Sequence, residues 1–377
     1  MRIAQVAPLF ESVPPKLYGG TERIVSNLTE ALVRQGHDVT LFSSGDSLTS
    51  ARHFPTGHES LRLSEAQDSL APHFVMFEKL RRLENQFDII HFHTENLHLA
   101  MFRSLNVPTV STMHGRQDIR EYSELYNEFK ERPMVSISWH QRRPVPYANW
   151  VGTVYHGLNA DHLRYNSKGG DYLAFLGRIS PEKGVEHAVE IARRTGMKLK
   201  IAAKIEPKIY TEYTKKVLPL FDEPFVEFIG EIGDHEKSDF LGGAQATLFP
   251  ITWPEPFGLV MIESLAVGTP VIAFKNGSVP EILNHGKTGF IVNNVDEACH
   301  ELQRIKSISR EDCRAEFVER FSSERMASDY VGIYESLCKE FEARSMKYAQ
   351  PSLDSLEAVP ESWHELWPEM RAEVIFG

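Results

Sequence analysis

Residues 255–273 read EPFGLVMIESLAVGTPVIA, and the order of this run reveals its local structure. An apolar helix follows Gly258. Gly268 just past its end and Pro270 shortly after form the usual C-terminal stop. Val271-Ile272-Ala273-Phe274 is then a short apolar run of the kind buried in a parallel sheet. Loop, helix, stop and buried strand in succession belong to an α/β fold.

The same alternation extends outward through the chain. Strands are expected over residues 2–7, 38–43, 88–93, 109–113, 134–139 and 152–155. A helix over 21–35 puts Ile24, Val25, Leu28, Ala31 and Leu32 on one face, and Gly36 closes it. A second series follows the polar stretch 166–170, with strands over 172–176, 199–203, 226–229, 246–250, 271–274 and 290–292. Two such series predict two Rossmann-like domains, 1–168 and 169–321, facing a cleft. Ligands of such sheets bind beyond the C-terminal strand ends, so a facing pair gathers its site loops there. Residues 322–345 read as a long helix with Met326, Tyr330, Ile333, Tyr334 and Leu337 on one stripe. The tail 346–377 holds Trp363 and Trp367 among prolines and acids, and reads equally as a docked strap or a partner-binding arm.

Composition limits the function classes. The 377 residues are 25% charged and 42% hydrophobic, an ordinary globular mixture long enough for two domains. No run approaches the length of a membrane span, which leaves only peripheral membrane contact open, and the first residues lack a signal-peptide core. Cys299, Cys313 and Cys338 are odd in number and far apart, so a reducing compartment, the cytoplasm, is expected. A net charge of −11 argues against a general nucleic-acid partner. An anionic substrate must then meet a local basic cluster.

Within the opening run, Glu255 lies on the loop entering the helix, Gly258 near its first turn and Glu263 about two turns in. Free N–H groups and the dipole at a helix start attract a phosphate, and two flanking carboxylates can accept hydroxyl protons. A nucleotide sugar carries both groups. The plainer alternative makes Glu255 a solvated loop residue and Glu263 a favourable early-turn residue. Against it, Glu263 lies between Ile262 and Leu265, where an unpaired carboxylate is costly to bury.

The run Leu176-Gly177-Arg178-Ile179-Ser180-Pro181-Glu182-Lys183-Gly184 follows the first strand of the second series. Pro181 suits a helix start, so Arg178 at the strand end and Lys183 near the first turn converge on a diphosphate. Lys183 alone would read as a surface charge. Tyr18-Gly19-Gly20-Thr21 opens the first helix, where the glycines admit a ligand close to the backbone. Neither a dinucleotide Gly fingerprint nor a Walker motif is present. His91 and His93 point to one sheet face, and Glu95 or His98 nearby could mimic a metal site. One strand end rarely completes a metal shell, so no metal is expected.

These motifs resemble the retaining glycosyltransferases of family four, which have the GT-B fold: a Glu, seven residues and a second Glu around Phe257-Gly258-Leu259, and the Gly-Arg…Glu-Lys-Gly run. The resemblance implies that Glu255 contacts the transferred sugar and Glu263 holds the ribose. It assigns Arg178 and Lys183 to the donor diphosphate. It puts His114 near the outer hydroxyls of the sugar, Gly19 and Gly20 against the phosphate, and Glu231 and Ile232 beside the base. It also implies a last helix that returns to the first domain. Asp-X-Asp is absent from the chain, so the implied activity is metal-independent hexosyl transfer, from UDP-glucose first and GDP-mannose second. The acceptor, whether a sugar, a lipid or a small molecule, is left open. An epimerase of the same fold and a non-catalytic sugar-nucleotide sensor are the alternatives.

Overall fold

The computed structural model describes residues 1–349 except 18, 65 and 206–210. Its framework is two parallel sheets. The first joins β1 (Arg2–Val6), β2 (Asp38–Ser44), β3 (Arg52–Thr56), β4 (Ile89–Phe92), β5 (Thr109–Thr112), β6 (Met134–Ser136) and β7 (Trp150–Thr153) in the order β3-β2-β1-β4-β5-β6-β7. The second joins β8 (Tyr172–Ile179), β9 (Lys198–Ile205), β10 (Val226–Gly230), β11 (Ala244–Phe249), β12 (Val271–Phe274) and β13 (Gly289–Val292) in the order β10-β9-β8-β11-β12-β13. This is the GT-B architecture. β4, β5 and β12 are buried along their whole length, as parallel strands covered by helices on both faces must be.

Strand order reverses between β1 and β4 in one sheet and between β8 and β11 in the other. Loops leaving such neighbours diverge and open a crevice at the carboxyl ends of the strands. The Gly19-Gly20 turn follows β1, Arg178 ends β8 and Glu255 follows β11, so the topology itself brings these residues to one place.

The strand β3 was not expected. Its sequence, RHFPT, alternates poorly and contains Pro55, which suits an edge strand whose N–H faces away from its neighbour. In the first helix, Gly20–Arg34, the five apolar residues expected on one face are buried. The last helix runs Ser323–Ala349 and lies on the first sheet. Its Ile333 packs so close to β7 that a Cβ on Gly152 would stand 2.8 Å from Ile333 Cδ1. At its other side the Cys338 thiol reaches the Asp88 carbonyl at 3.4 Å. Trp363 and Trp367 lie outside the described residues.

Candidate functional site

A cavity of about 570 Å³ separates the two sheets, within the range of small-ligand sites. Its walls include Gly19, Gly20, His114, Arg178, Lys183, Glu231, Ile232, Glu255, Phe257, Gly258, Leu259 and Glu263, so every candidate residue from the sequence faces one space. The two halves touch beside it. A Cβ on Gly20 would lie 3.6 Å from Leu259 Cδ1, and Ser138 Oγ donates to the Pro256 carbonyl at 2.6 Å.

On the second-sheet wall, charge is held in pairs. After β8 the chain makes one 3₁₀ turn, Pro181–Lys183, and enters the helix Val185–Thr195 only beyond Gly184. Lys183 therefore precedes the α-helix rather than occupying its first turn. The cause is Gly184, at φ 65°, where a Cβ would stand 2.3 Å from the Pro250 carbonyl oxygen and the chain must bend in a left-handed conformation. The turn aims Lys183 Nζ at Glu255 Oε2, 2.5 Å away, and Trp253 Nε1 donates to the same oxygen at 2.7 Å. Arg178 bonds Glu182 at 2.7 Å. Burial pushes the Glu182 carboxyl up, but the Ser180 hydroxyl and Arg178 outweigh it and hold the group below its usual range.

Gly258 caps the helix Leu259–Ala266 at φ 83°. A side chain there would meet Met261 Cε at 2.8 Å and the Phe249 ring at 2.9 Å, so only glycine lets this helix start so near the cavity. Glu263, in the second turn and 4% exposed, is not an unpaired buried carboxylate: Lys237 Nζ binds its Oε1 at 2.7 Å. Lys237 also reaches Asp234 at 3.1 Å, and Asp234 pairs with Arg23 of the first helix at 2.7 Å. Burial raises the Asp234 carboxyl, yet Arg23 and Lys237 together bring it below its ordinary value. One chain of charge thus runs from the first half of the molecule to Glu263.

The first-sheet wall carries charged residues such as Arg23 and the Glu11–Arg62 pair, but its histidines are neutral. His114 follows β5, and burial pushes its imidazole down to about 3. Its ring lies 5.3 Å from His156, which in turn packs 4.8 Å from Phe257 of the opposite wall. Glu95, one of the residues that could mimic a metal site, serves the loop instead. Its Oε1 accepts the backbone N–H groups of His114 and Gly115 at 2.8 and 2.9 Å, from a left-handed backbone at φ 49°. His98 bonds Ser111 at 2.7 Å. Among the described residues no three His, Cys, Asp or Glu side chains are grouped to hold a metal.

Sequence reasoning missed Lys237, Asp234, Arg23, Trp253 and His156. Lys237 and Asp234 sit in a helix with no apolar stripe to draw attention, and their partners are 26 and 211 residues away. Glu263 was the available signal. A carboxylate in an apolar helix demands a cation, though not a particular one.

The comparisons with known proteins divide the chain as the sheets do. Residues 18–166 match the family Glycosyltransferase Family 4, and residues 164–322 match Glycosyl transferases group 1. A glycogen synthase of Mycobacterium tuberculosis is 25% identical, over 84% of this chain and 89% of its own. An uncharacterized glycosyltransferase of Methanocaldococcus jannaschii is 23% identical, over 89% and 98%. Among solved structures, Anabaena HepE in complex with UDP-glucose superposes with a TM-score of 0.68 at 17% identity, covering 89% of this chain and all of that one.

Proposed function

The chain belongs to the family-four glycosyltransferases, and from that premise we propose that it transfers a hexose from a nucleoside-diphosphate sugar, with retention at the anomeric carbon and without a metal. The observation that carries this reading is the meeting of Arg178 and Lys183 with Glu255 and Glu263 on one cavity between the sheets. A donor sugar and an acceptor hydroxyl give the glycoside, the nucleoside diphosphate and a proton. The bond from the anomeric carbon to the diphosphate oxygen breaks, and that oxygen keeps the electron pair. Charge therefore develops on the diphosphate, where fixed cations in a partly dry cleft lower the barrier most. Arg178 and Lys183 are assigned that task. Glu255 and His114 orient the sugar, Glu263 takes the ribose, and Glu231 and Ile232 flank the base.

Residues 169–321 are the donor half and residues 1–168 the acceptor half. UDP-glucose is the favoured donor, which the UDP-glucose held by Anabaena HepE supports, and GDP-mannose is second. The acceptor, a sugar, a lipid or a small molecule, would be selected by the loops at 44–72 and 115–133, the first of which contains β3. No described helix is long and apolar enough to cross a membrane, and none of the three cysteines is in a disulfide. A cytoplasmic location is proposed on the cysteines.

A thermal-shift screen of nucleotides and nucleotide sugars tests the donor, since ligand at 100 times Kd adds about 2.7 kcal/mol. Transfer is then followed with excess chelator. Turnover abolished by chelator and restored by magnesium or manganese would overturn the metal-free assignment. Conversion of the donor sugar without any acceptor would favour the epimerase.

A further inference from the structure

A row of charged side chains crosses from one half of the molecule to the other beside the cavity, and the proposed chemistry uses only its last member. Arg23 reaches from the first helix into the second half. Its Nη2 stands 2.7 Å from Asp234 Oδ1, and its Nε lies 3.1 Å from both oxygens of that carboxylate. Asp234 opens the helix Asp234–Gly242 and also meets Lys237 Nζ at 3.1 Å. Lys237 in turn holds Glu263 at 2.7 Å. Cation and anion alternate along the row. Arg23, Lys237 and Glu263 line the cavity, and each is at most 8% exposed.

Arg23 does more than pair with Asp234. Its Nη2 also donates to the Leu17 carbonyl at 2.9 Å, and its Nη1 to the Gly19 carbonyl at 3.5 Å. The Gly19 carbonyl takes the Arg23 backbone N–H as well, at 3.1 Å. One planar fork therefore grips a carboxylate of the second half and the carbonyls of the turn that opens the first helix. The same turn rests against the second half directly. A Cβ on Gly233, the residue before Asp234, would lie 3.9 Å from the Lys16 carbonyl oxygen and 4.0 Å from Leu17 Cδ2. A guanidinium so buried needs its carboxylate, because the carbonyls alone leave its charge uncompensated. The place of Leu17 and Gly19 thus depends on Asp234, a residue of the other sheet.

We propose that Arg23 and Asp234 are positioning residues which, with Lys237, fix the glycine turn of the first half relative to Glu263 of the second. The inference rests on the proposed donor reading for what the two ends hold, but not for the tie itself. In that reading the turn meets the donor phosphate and Glu263 takes the ribose. Both groups belong to one ligand, whereas their protein partners belong to different sheets. A misplacement of about 1 Å costs on the order of a hundredfold in rate. The tie therefore sets the geometry of transfer more than the strength of nucleotide binding. UDP alone is held mainly by Arg178, Lys183 and Glu263, all of the second half.

Two measurements test this. Amide hydrogen exchange of the unliganded protein reads the tie without any substrate. In Asp234→Asn the amides of residues 19–23 should exchange at least fivefold faster than in the parent, while those of β8 keep their rates. Unchanged exchange at 19–23, or an equal rise in β8, would overturn the proposal, whatever the substrate is. The second measurement takes kcat with UDP-glucose and the affinity for UDP in Arg23→Met, Asp234→Asn and the double variant. Each single variant should lose tenfold or more in kcat with UDP affinity within threefold of the parent. The double variant should lose no more than the worse single one, because both break the same link. Losses that multiply, or that fall equally on UDP affinity, would show two merely structural residues and sink the positioning role. Arg23→Lys guards against a variant that fails to fold. It keeps a cation facing Asp234, but one compact head cannot hold the carboxylate and both carbonyls. Its kcat should still fall fivefold or more at an unchanged melting temperature, and full rate in that variant would overturn the grip on the turn. If the parent transfers from no nucleotide sugar, the donor reading fails while hydrogen exchange still decides the tie.

Discussion

The lysines of one cavity wall and the histidines of the other are held by opposite means. The second-sheet wall keeps its groups charged and paired, with Lys183 on Glu255 at 2.5 Å and Lys237 on Glu263 at 2.7 Å. The first-sheet wall keeps His91, His93, His98, His114 and His156 neutral by burial. Both solutions avoid an isolated buried charge, which is among the costliest features a fold can contain. They prepare different chemistry. A paired cation can turn to an incoming diphosphate when its carboxylate takes a hydroxyl instead. A neutral imidazole adds no competing charge.

Breaking one pair should have the largest effect. Lys237→Met leaves Glu263 buried without its cation, and loss of one partner of such a pair costs about 3–5 kcal/mol of stability. Urea denaturation should show that fall, and adding Glu263→Gln should recover most of it. No loss in the single variant would mean that the pair is not what holds Glu263. Removal of Lys183 should act on rate rather than on stability. Lys183→Ala is expected to lower kcat by roughly 10²–10³-fold, as deletion of one transition-state donor does. A loss below fivefold in initial-rate measurements would move the diphosphate charge elsewhere.

The carboxylates of that wall should then separate by ligand fragment. Glu263→Ala is expected to weaken both UDP and UDP-glucose by about 1–3 kcal/mol, the loss of a buried hydrogen bond. Glu255→Ala should spare UDP and reduce only the extra affinity of the sugar nucleotide. Calorimetry with both ligands, and circular dichroism to check folding, decides the matter; equal weakening of both ligands by Glu255→Ala ends the division of labour.

Acid is the smallest lever per group, and it acts on the neutral histidines. Burial and the nearby Arg132 hold His98 at about 3 against an ordinary 6.5, so its stabilising contribution is full above 6.5 and is lost as pH falls toward 3. His91, His93 and His156, all lowered by burial, add in the same direction. Glu22 runs the other way: burial pushes its carboxyl up to about 7, and acid relieves it. Each such histidine is expected to lose roughly 1.4 kcal/mol of unfolding free energy from pH 7.5 to 5.5, and together they outweigh Glu22. An unchanged denaturation midpoint would show that the histidines are not held neutral.

The sequence made the framework and the second-sheet wall readable because both are local. An apolar run marked β12, and Gly258, Gly268 and Pro270 bounded the helix that carries Glu263. Arg178 and Lys183 were legible because they follow a strand end within a few residues. The strand β3 escaped, since Pro55 and mixed exposure erase the period-two signal on which strand detection depends. The histidine wall was only half read. His91 and His93 stood out as a pair on one face, but their partners Gln5, Tyr330 and Tyr334 belong to the first strand and the last helix.

What the sequence determined by itself is the order of most strands and helices, the two-sheet division and the presence of carboxylates and cations at helix starts. Backbone propensity, hydrophobic period and turn chemistry act over a few residues, so they are written in the chain. The tertiary structure alone decided which cation meets which carboxylate, as Lys237 and Asp234 do with Glu263 and Arg23. It also decided whether an ionisable side chain is charged, since that depends on how much water the surrounding chain removes. His114 shows both. Its place after β5 was visible in the sequence, but its neutrality comes from how deeply the folded chain buries it.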